Sequence, residues 1–193
     1  MQHTDALLKV PGYQLAVRKD GSNQGRARGL LMYAKEELKT VRLNLDILDT
    51  FDEGAGISVP WLGGRLSLVL AYRPPRYPGS ADDNGNTSKL AELISGLQGP
   101  VLLCGDLNLP DVCWDQLSAP AGVQQQVLGA VQDKFWTQHV DFPTRKAGNL
   151  LDVGLSSSPE LVARVESLGY LATNAEIHDC RTKERQYHHR AGT

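Results

Sequence analysis

Residues 101–110 read Val-Leu-Leu-Cys-Gly-Asp-Leu-Asn-Leu-Pro. An apolar run ends at Gly105, and Asp106 and Asn108 follow two positions apart. A carboxylate can orient and deprotonate a water. A neutral carboxamide beside it can hold a phosphate oxygen without neutralising the carboxylate. On extended backbone, residues two apart share a side, so a buried strand would present both groups at its C-terminal end. Gly105 permits close approach of a ligand or another backbone, and Pro110 stops the strand. The same residues also describe a strand running into an Asx-turn, and taken alone they leave both readings open.

The flanking elements must position this pair. Tyr13–Val17 and Leu30–Ala34 read as strands. Val41, Leu43, Leu45 and Ile47 alternate with polar residues, the pattern of a half-buried antiparallel strand through Leu48. Ile57–Trp61 and Leu66–Tyr72 pair across Gly63-Gly64. Leu90, Leu93, Ile94 and Leu97 mark one helical face, with Asn86 or Thr87 as the cap and Gly99-Pro100 as the stop. Val123, Val127, Leu128 and Val131 mark a second helix. Phe135–Val140 reads as an edge segment, Leu150–Leu155 as a buried strand and Val165–Leu171 as a last strand. Antiparallel strands mixed with a few helices predict an α/β or α+β sandwich.

Composition narrows the function classes. The chain has 193 residues, 41% hydrophobic and 22% charged, enough for one domain with a sizeable core. Net charge is −2, so no global basic field draws in nucleic acid and any such contact needs a local patch. The three Cys show no zinc spacing. No apolar run approaches the ~18 residues of a membrane span. The odd Cys count and absence of a signal peptide fit a reducing, intracellular compartment, nucleus or cytoplasm. Beyond about residue 178 almost nothing is apolar, so 1–178 is expected to be the domain and 179–193 a disordered tail.

Four words occur in order: Leu-Val-Leu-Ala-Tyr-Arg-Pro-Pro (68–75), Gly-Asp-Leu-Asn-Leu-Pro (105–110), Phe-Pro-Thr-Arg (142–145) and Asn-Leu-Leu-Asp-Val-Gly-Leu (149–155). From about Pro11 to about Thr173 the chain resembles the endonuclease/exonuclease/phosphatase superfamily, and most closely the endonuclease domain of LINE-type retrotransposons, relatives of apurinic endonucleases. That resemblance implies a DNase I-like fold, two packed β-sheets flanked by helices. It implies metal-dependent phosphodiester hydrolysis, with Mg²⁺ as the cofactor if the chain is active. It places water activation on Asp106, a phosphate contact on Asn108, a phosphate-side hydroxyl on Tyr72, and support of a catalytic His on Asp152.

Two parts of the family pattern have no match. The Ser-Asp-His expected near the C-terminus falls on Ala172 to Asp179, with Ala175 and Glu176 in the Asp and His slots. His178 lies two residues further on, ~6.8 Å along an extended segment, too far for a group that needs ~3 Å contact. The strands that carry the family's Asn and metal-binding Glu are also unmatched, as though the fold were incomplete at its N-terminus. Glu36, Glu37 and Glu53 are the nearest carboxylates, and none ends an apolar strand, so they read as surface groups. The metal ligands therefore stay unassigned. Arg73 and Arg76 around the Pro-rich loop, with Thr144, Arg145 and Lys146, are the candidate nucleic-acid contacts, because the guanidinium fork suits phosphate.

Two functions from different classes fit. One is a retrotransposon-derived phosphodiester hydrolase with impaired catalysis, binding nucleic acid, DNA first, weakly. The other is a non-catalytic remnant of the same fold that binds nucleic acid or a protein.

Overall fold

The computed structural model describes residues 8–20, 29–51, 53–75, 83–145, 148–170 and 176–181. Among them the order is β1 (Tyr13–Asp20), β2 (Gly29–Lys35), β3 (Val41–Arg42), α1 (Asp46–Thr50), β4 (Gly54–Trp61), β5 (Gly64–Ala71), α2 (Asp83–Gly96), β6 (Val101–Asp106), α3 (Val123–Asp133), β7 (Thr137–Gln138), β8 (Asp152–Ser156), a 3₁₀ turn (Pro159–Leu161), β9 (Arg164–Tyr170) and β10 (Glu176–Arg181).

The central sheet has six strands in the order β3-β4-β5-β6-β8-β7. Four of its pairings are antiparallel, and β5–β6 is parallel. A parallel neighbour needs a crossover, and α2 supplies it. One face of the sheet carries Val69, Ala71, Val101, Leu103, Val153 and Leu155, buried with Leu90, Leu93 and Ile94 of α2 and Val127, Leu128 and Val131 of α3. The other face carries Ala55, Ile57, Val59 and Leu66 against Val17, Leu30 and Ala34 of the β1–β2 hairpin. The antiparallel pair β9–β10 forms a further two-stranded sheet. The result is the expected mixed α/β architecture of layered sheets with helices.

Three local expectations need correction. Val41 to Leu48 is not one strand: β3 stops at Arg42 and α1 begins at Asp46. Leu45/Leu48 and Ile47/Phe51 also fit helical spacing, and burial of Leu48 and Phe51 decides for the helix. Asn86 and Thr87 do not cap α2 but lie inside it. Asp179–Arg181 belong to β10, so the strand runs three residues into the stretch assigned to the tail. The rest of that stretch, 182–193, lies outside the described residues.

One glycine controls how β5 meets β6. Gly105 has φ +152, and a Cβ there would overlap the carbonyl oxygen of Ala71. Only a residue without Cβ lets the two strands close at this level. Gly105→Ala should therefore destabilise the fold by about 2–4 kcal/mol, combining positive-φ strain with overpacking. Chemical denaturation checks this, and wild-type stability in the variant would refute the close-approach reading.

Candidate active site at the end of the central strands

Strand register gathers the chemistry-bearing residues. Asp106, the last residue of β6, is the direct partner of Asp152, the first of β8. On β5, Leu68 and Leu70 partner Leu102 and Cys104, and continuing that register sets Tyr72 beside Asp106. The ladder itself continues there, since Arg73 N–H donates to Asp106 O at 2.9 Å. Cross-strand partners share a face, so Tyr72, Asp106 and Asp152 form a row at one end of the sheet. The row extends to β4, because Tyr72 N–H donates to the carbonyl of Glu53 at 2.8 Å.

The turn after β6 fixes Asp106. Its Oδ1 accepts the backbone N–H of Asn108 at 3.2 Å, an Asx-turn. The Asx-turn anticipated for this segment is present. The extended-spacing argument for Asn108 fails, however. β6 ends at Asp106 and Asn108 takes φ +46, a left-handed conformation that Asn tolerates. Its Nδ2 donates to Arg73 O at 2.7 Å, while Arg73 Nη1 donates to Asn108 O at 2.6 Å. Each residue holds the other's backbone.

That reciprocity corrects the assignment of Arg73. Its side chain is 2% exposed, with Nε donating to Thr87 Oγ1 at 2.9 Å, so it clamps the β6 turn to α2 instead of facing solvent. Thr144 needs the same correction. It is 1% exposed, and its hydroxyl accepts the N–H groups of Leu151 and Asp152 at 2.9 and 3.1 Å, so it positions the start of β8. Arg145 does reach the site: its Nη2 donates to Asp106 Oδ2. Arg76 and Lys146 lie outside the described residues.

Glu53 is the residue that sequence reasoning misread. It is 7% exposed, not a surface carboxylate, whereas Glu36 and Glu37 are exposed as expected. It precedes its strand instead of ending one, and only the antiparallel register with β5 brings it to the row. Lys19 of β1 fixes this corner by donating to the carbonyls of Leu48, Phe51 and Gly54 at 2.6, 2.8 and 3.1 Å.

Electrostatics set Asp106 apart. Burial, then the charge of Asp152, hold its carboxyl above the ordinary value of 3.8, against the lowering effects of Arg145 and the Asn108 hydrogen bond. A cavity of about 190 Å³ opens at the turn after β6, lined by Arg73, Pro75, Asn108, Pro110 and Gln124 of α3 among others, and by no member of the row. A larger cavity of about 750 Å³, between Trp61, Pro100 and Leu161, lies at the opposite end of the sheet, away from these carboxylates.

Mg²⁺ takes one or two carboxylates and keeps water and phosphate ligands. Asp106 and Asp152 are together, but the Arg145 guanidinium already sits on Asp106 Oδ2. Among the described residues no group of three or more His, Cys, Asp or Glu is placed to hold a metal ion. With Asn108 N–H on Oδ1 and Arg145 on Oδ2, Asp106 as arranged does not fit a Mg²⁺ site. Among the described residues, no helix is long and apolar enough to cross a membrane.

Residues 2–171 match the Endonuclease/Exonuclease/phosphatase family. No curated protein matches the chain. Among solved structures, the endonuclease domain of TRAS1, a telomere-specific non-LTR retrotransposon, is similar at TM-score 0.61 and 10% identity, over 86% of this chain and 76% of that one. The 3′ phosphatase NExo from Neisseria, bound to product DNA hairpin, is similar at TM-score 0.61 and 15% identity, over 95% and 84%. The human Nocturnin catalytic domain is similar at TM-score 0.51 and 13% identity, over 88% and 69%.

Two outcomes follow from the site's construction. Arg73→Lys, which cannot reproduce the fork to Thr87 and Asn108, should lower stability by about 2–4 kcal/mol in urea denaturation; an unchanged midpoint would refute the clamp. Asp106 binds its proton more tightly folded than unfolded, so its contribution to stability is full below 3.8 and is lost as pH rises through the raised folded value. Asp106→Asn should therefore unfold at a higher temperature than wild type at pH 7, with the gap closing near pH 3. A gap of opposite sign would show that the ion pair with Arg145 outweighs burial.

Proposed function

The chain belongs to the endonuclease/exonuclease/phosphatase family, and from that premise we propose that it hydrolyses phosphate esters of nucleic acid, DNA before RNA, at the Asp106 row. One observation carries the reading: the carboxylate of Asp106, held above its ordinary pKa, is the direct strand partner of Asp152. A base poised above the ordinary carboxylate range removes a proton from water more effectively. In the proposed step, water oxygen bonds to phosphorus and its proton passes to Asp106. The bond from phosphorus to the leaving sugar oxygen breaks, and that oxygen takes a proton from solvent. Asn108 commits one amide hydrogen to Arg73 O, and its other is a donor for a phosphate oxygen. The hydroxyl of Tyr72 is a second donor.

Relatives support the substrate class: one is named an endonuclease domain and another a 3′ phosphatase bound to DNA. The proposed retrotransposon origin rests on the four sequence words in their order. Catalysis is proposed to be slower than in a relative with the Asp-His pair, since Ala175 and Glu176 stand in those slots. Nucleic-acid binding is proposed to be weak, because net charge is −2 and the basic contacts are local. The pairing of Asp106 with Arg145 favours, as a second reading, a domain that binds nucleic acid without cleaving it.

The assay offers supercoiled plasmid and a 3′-phosphorylated duplex, with and without added Mg²⁺. Product should form slowly, and Asp106→Ala should reduce it by about 10²-fold or more. The acidic limb of the rate profile should lie above the ordinary carboxylate value, and Asp152→Asn should move it down by removing a like charge. Binding with no product on either substrate would select the second reading, and product undiminished by Asp106→Ala would exclude Asp106 as the base.

A further inference from the structure

Arg145 is the outermost member of the site. Its side chain is 37% exposed and that of Asp106 is 13%, so an approaching anion meets the guanidinium before the carboxylate. The guanidinium carries five N–H donors. Nη2 is spent on Asp106 Oδ2, while Nε is buried and has no acceptor among the described residues. The Nε and Nη2 hydrogens lie along one edge, which here faces Asp106 and the interior and, once the side chain rotates, can grip two phosphate oxygens at once. The backbone beneath is fixed. Thr144 N–H and Arg145 N–H both donate to Asn149 O at 3.0 and 3.1 Å, and Gly148 N–H donates to Arg145 O at 2.9 Å. Thr144 anchors the same loop to β8 through Leu151 and Asp152. A change of partner by Arg145 therefore needs only side-chain rotation.

We propose that Arg145 is the anion-receiving residue of this site: its guanidinium rests on Asp106 in the absence of substrate and transfers to a phosphate when one binds, releasing Asp106 to act as base. The proposal deepens the hydrolase reading and rests on it for the identity of the anion as a phosphodiester. Asp106 is faced by Tyr72 from β5, Asp152 from β8 and Arg145 from the loop. Of these, Arg145 is the group whose charge lowers the Asp106 carboxyl. Its transfer removes that lowering and leaves burial and Asp152 in control, so the carboxylate becomes more basic as the phosphate arrives. Binding and base activation are thus coupled through one side chain. Lysine at this position would supply charge without the two-donor edge.

The test uses two probes, inorganic phosphate and a short DNA duplex with phosphorothioate linkages. Phosphate should shift the Arg145 Nε–H resonance and move the Asp106 carboxyl titration upward in wild type, with no such phosphate dependence in Arg145→Ala. Arg145→Ala should weaken duplex binding about 10-fold and lower its salt slope by about 1, and Arg145→Lys should recover the slope more than the affinity. An Asp106 titration indifferent to phosphate in wild type, or duplex affinity unchanged in Arg145→Ala, would overturn the proposal. Loss of affinity in Arg145→Ala with no cleavage by wild type would support the role of Arg145 while sinking the hydrolase reading. A response to phosphate without duplex binding would support an anion site whose ligand is a free phosphate.

Discussion

The close approach of Gly105 to the Ala71 carbonyl is the constraint from which the site follows. A Cβ at Gly105 would overlap that oxygen, so the parallel β5–β6 junction exists only with glycine there. At this junction Arg73 N–H donates to Asp106 O, and the antiparallel β6–β8 register aligns Asp106 with Asp152. A one-residue slip would turn every side chain of β6 to the opposite face, taking Asp106 into the helix-packed layer. The apolar face of β6, Val101 and Leu103, resists such a slip because both are fully buried against the helices.

Around this junction the polar groups divide into two sets. Arg73, Thr87 and Thr144 are buried and bonded to one another or to backbone. They spend their hydrogen bonds on shape, which keeps a left-handed turn and a strand start in fixed relation. Asp106, Asp152 and Arg145 lie nearer solvent and carry charge that is only partly balanced. The buried set holds the backbone beneath Asp106, Asp152 and Arg145 in place. Glu53 joins the buried side of the row, held in place by the corner that Lys19 ties together.

Much of this was legible in the residues. The apolar run ending in Gly-Asp, the 90–97 helical face and the order of the four words point to the right architecture, and to Asp106, Tyr72 and Asp152 at one sheet end. Local patterning carries that information, because strands and helices bury periodic faces. The roles of Arg73 and Thr144 were not legible. An Arg beside prolines and a Thr beside an Arg look alike whether they face phosphate or hold backbone, and only long-range register decides. Glu53 escaped for the same reason, since its place depends on which residue of β5 it opposes. The 41–48 segment failed differently: its apolar spacing fits both periods, and α1 is too short for periodicity to separate them.

The central claim is that nucleic acid is bound and hydrolysed at the Asp106 end of the sheet. The most direct measurement is amide chemical-shift mapping with a non-hydrolysable phosphorothioate duplex. The largest changes are expected at Tyr72, Asp106, Asn108, Arg145 and Asp152, with the 750 Å³ cavity around Trp61 and Leu161 unaffected. Changes centred on Trp61, Arg65 and Leu161, with the Asp106 row silent, would contradict it.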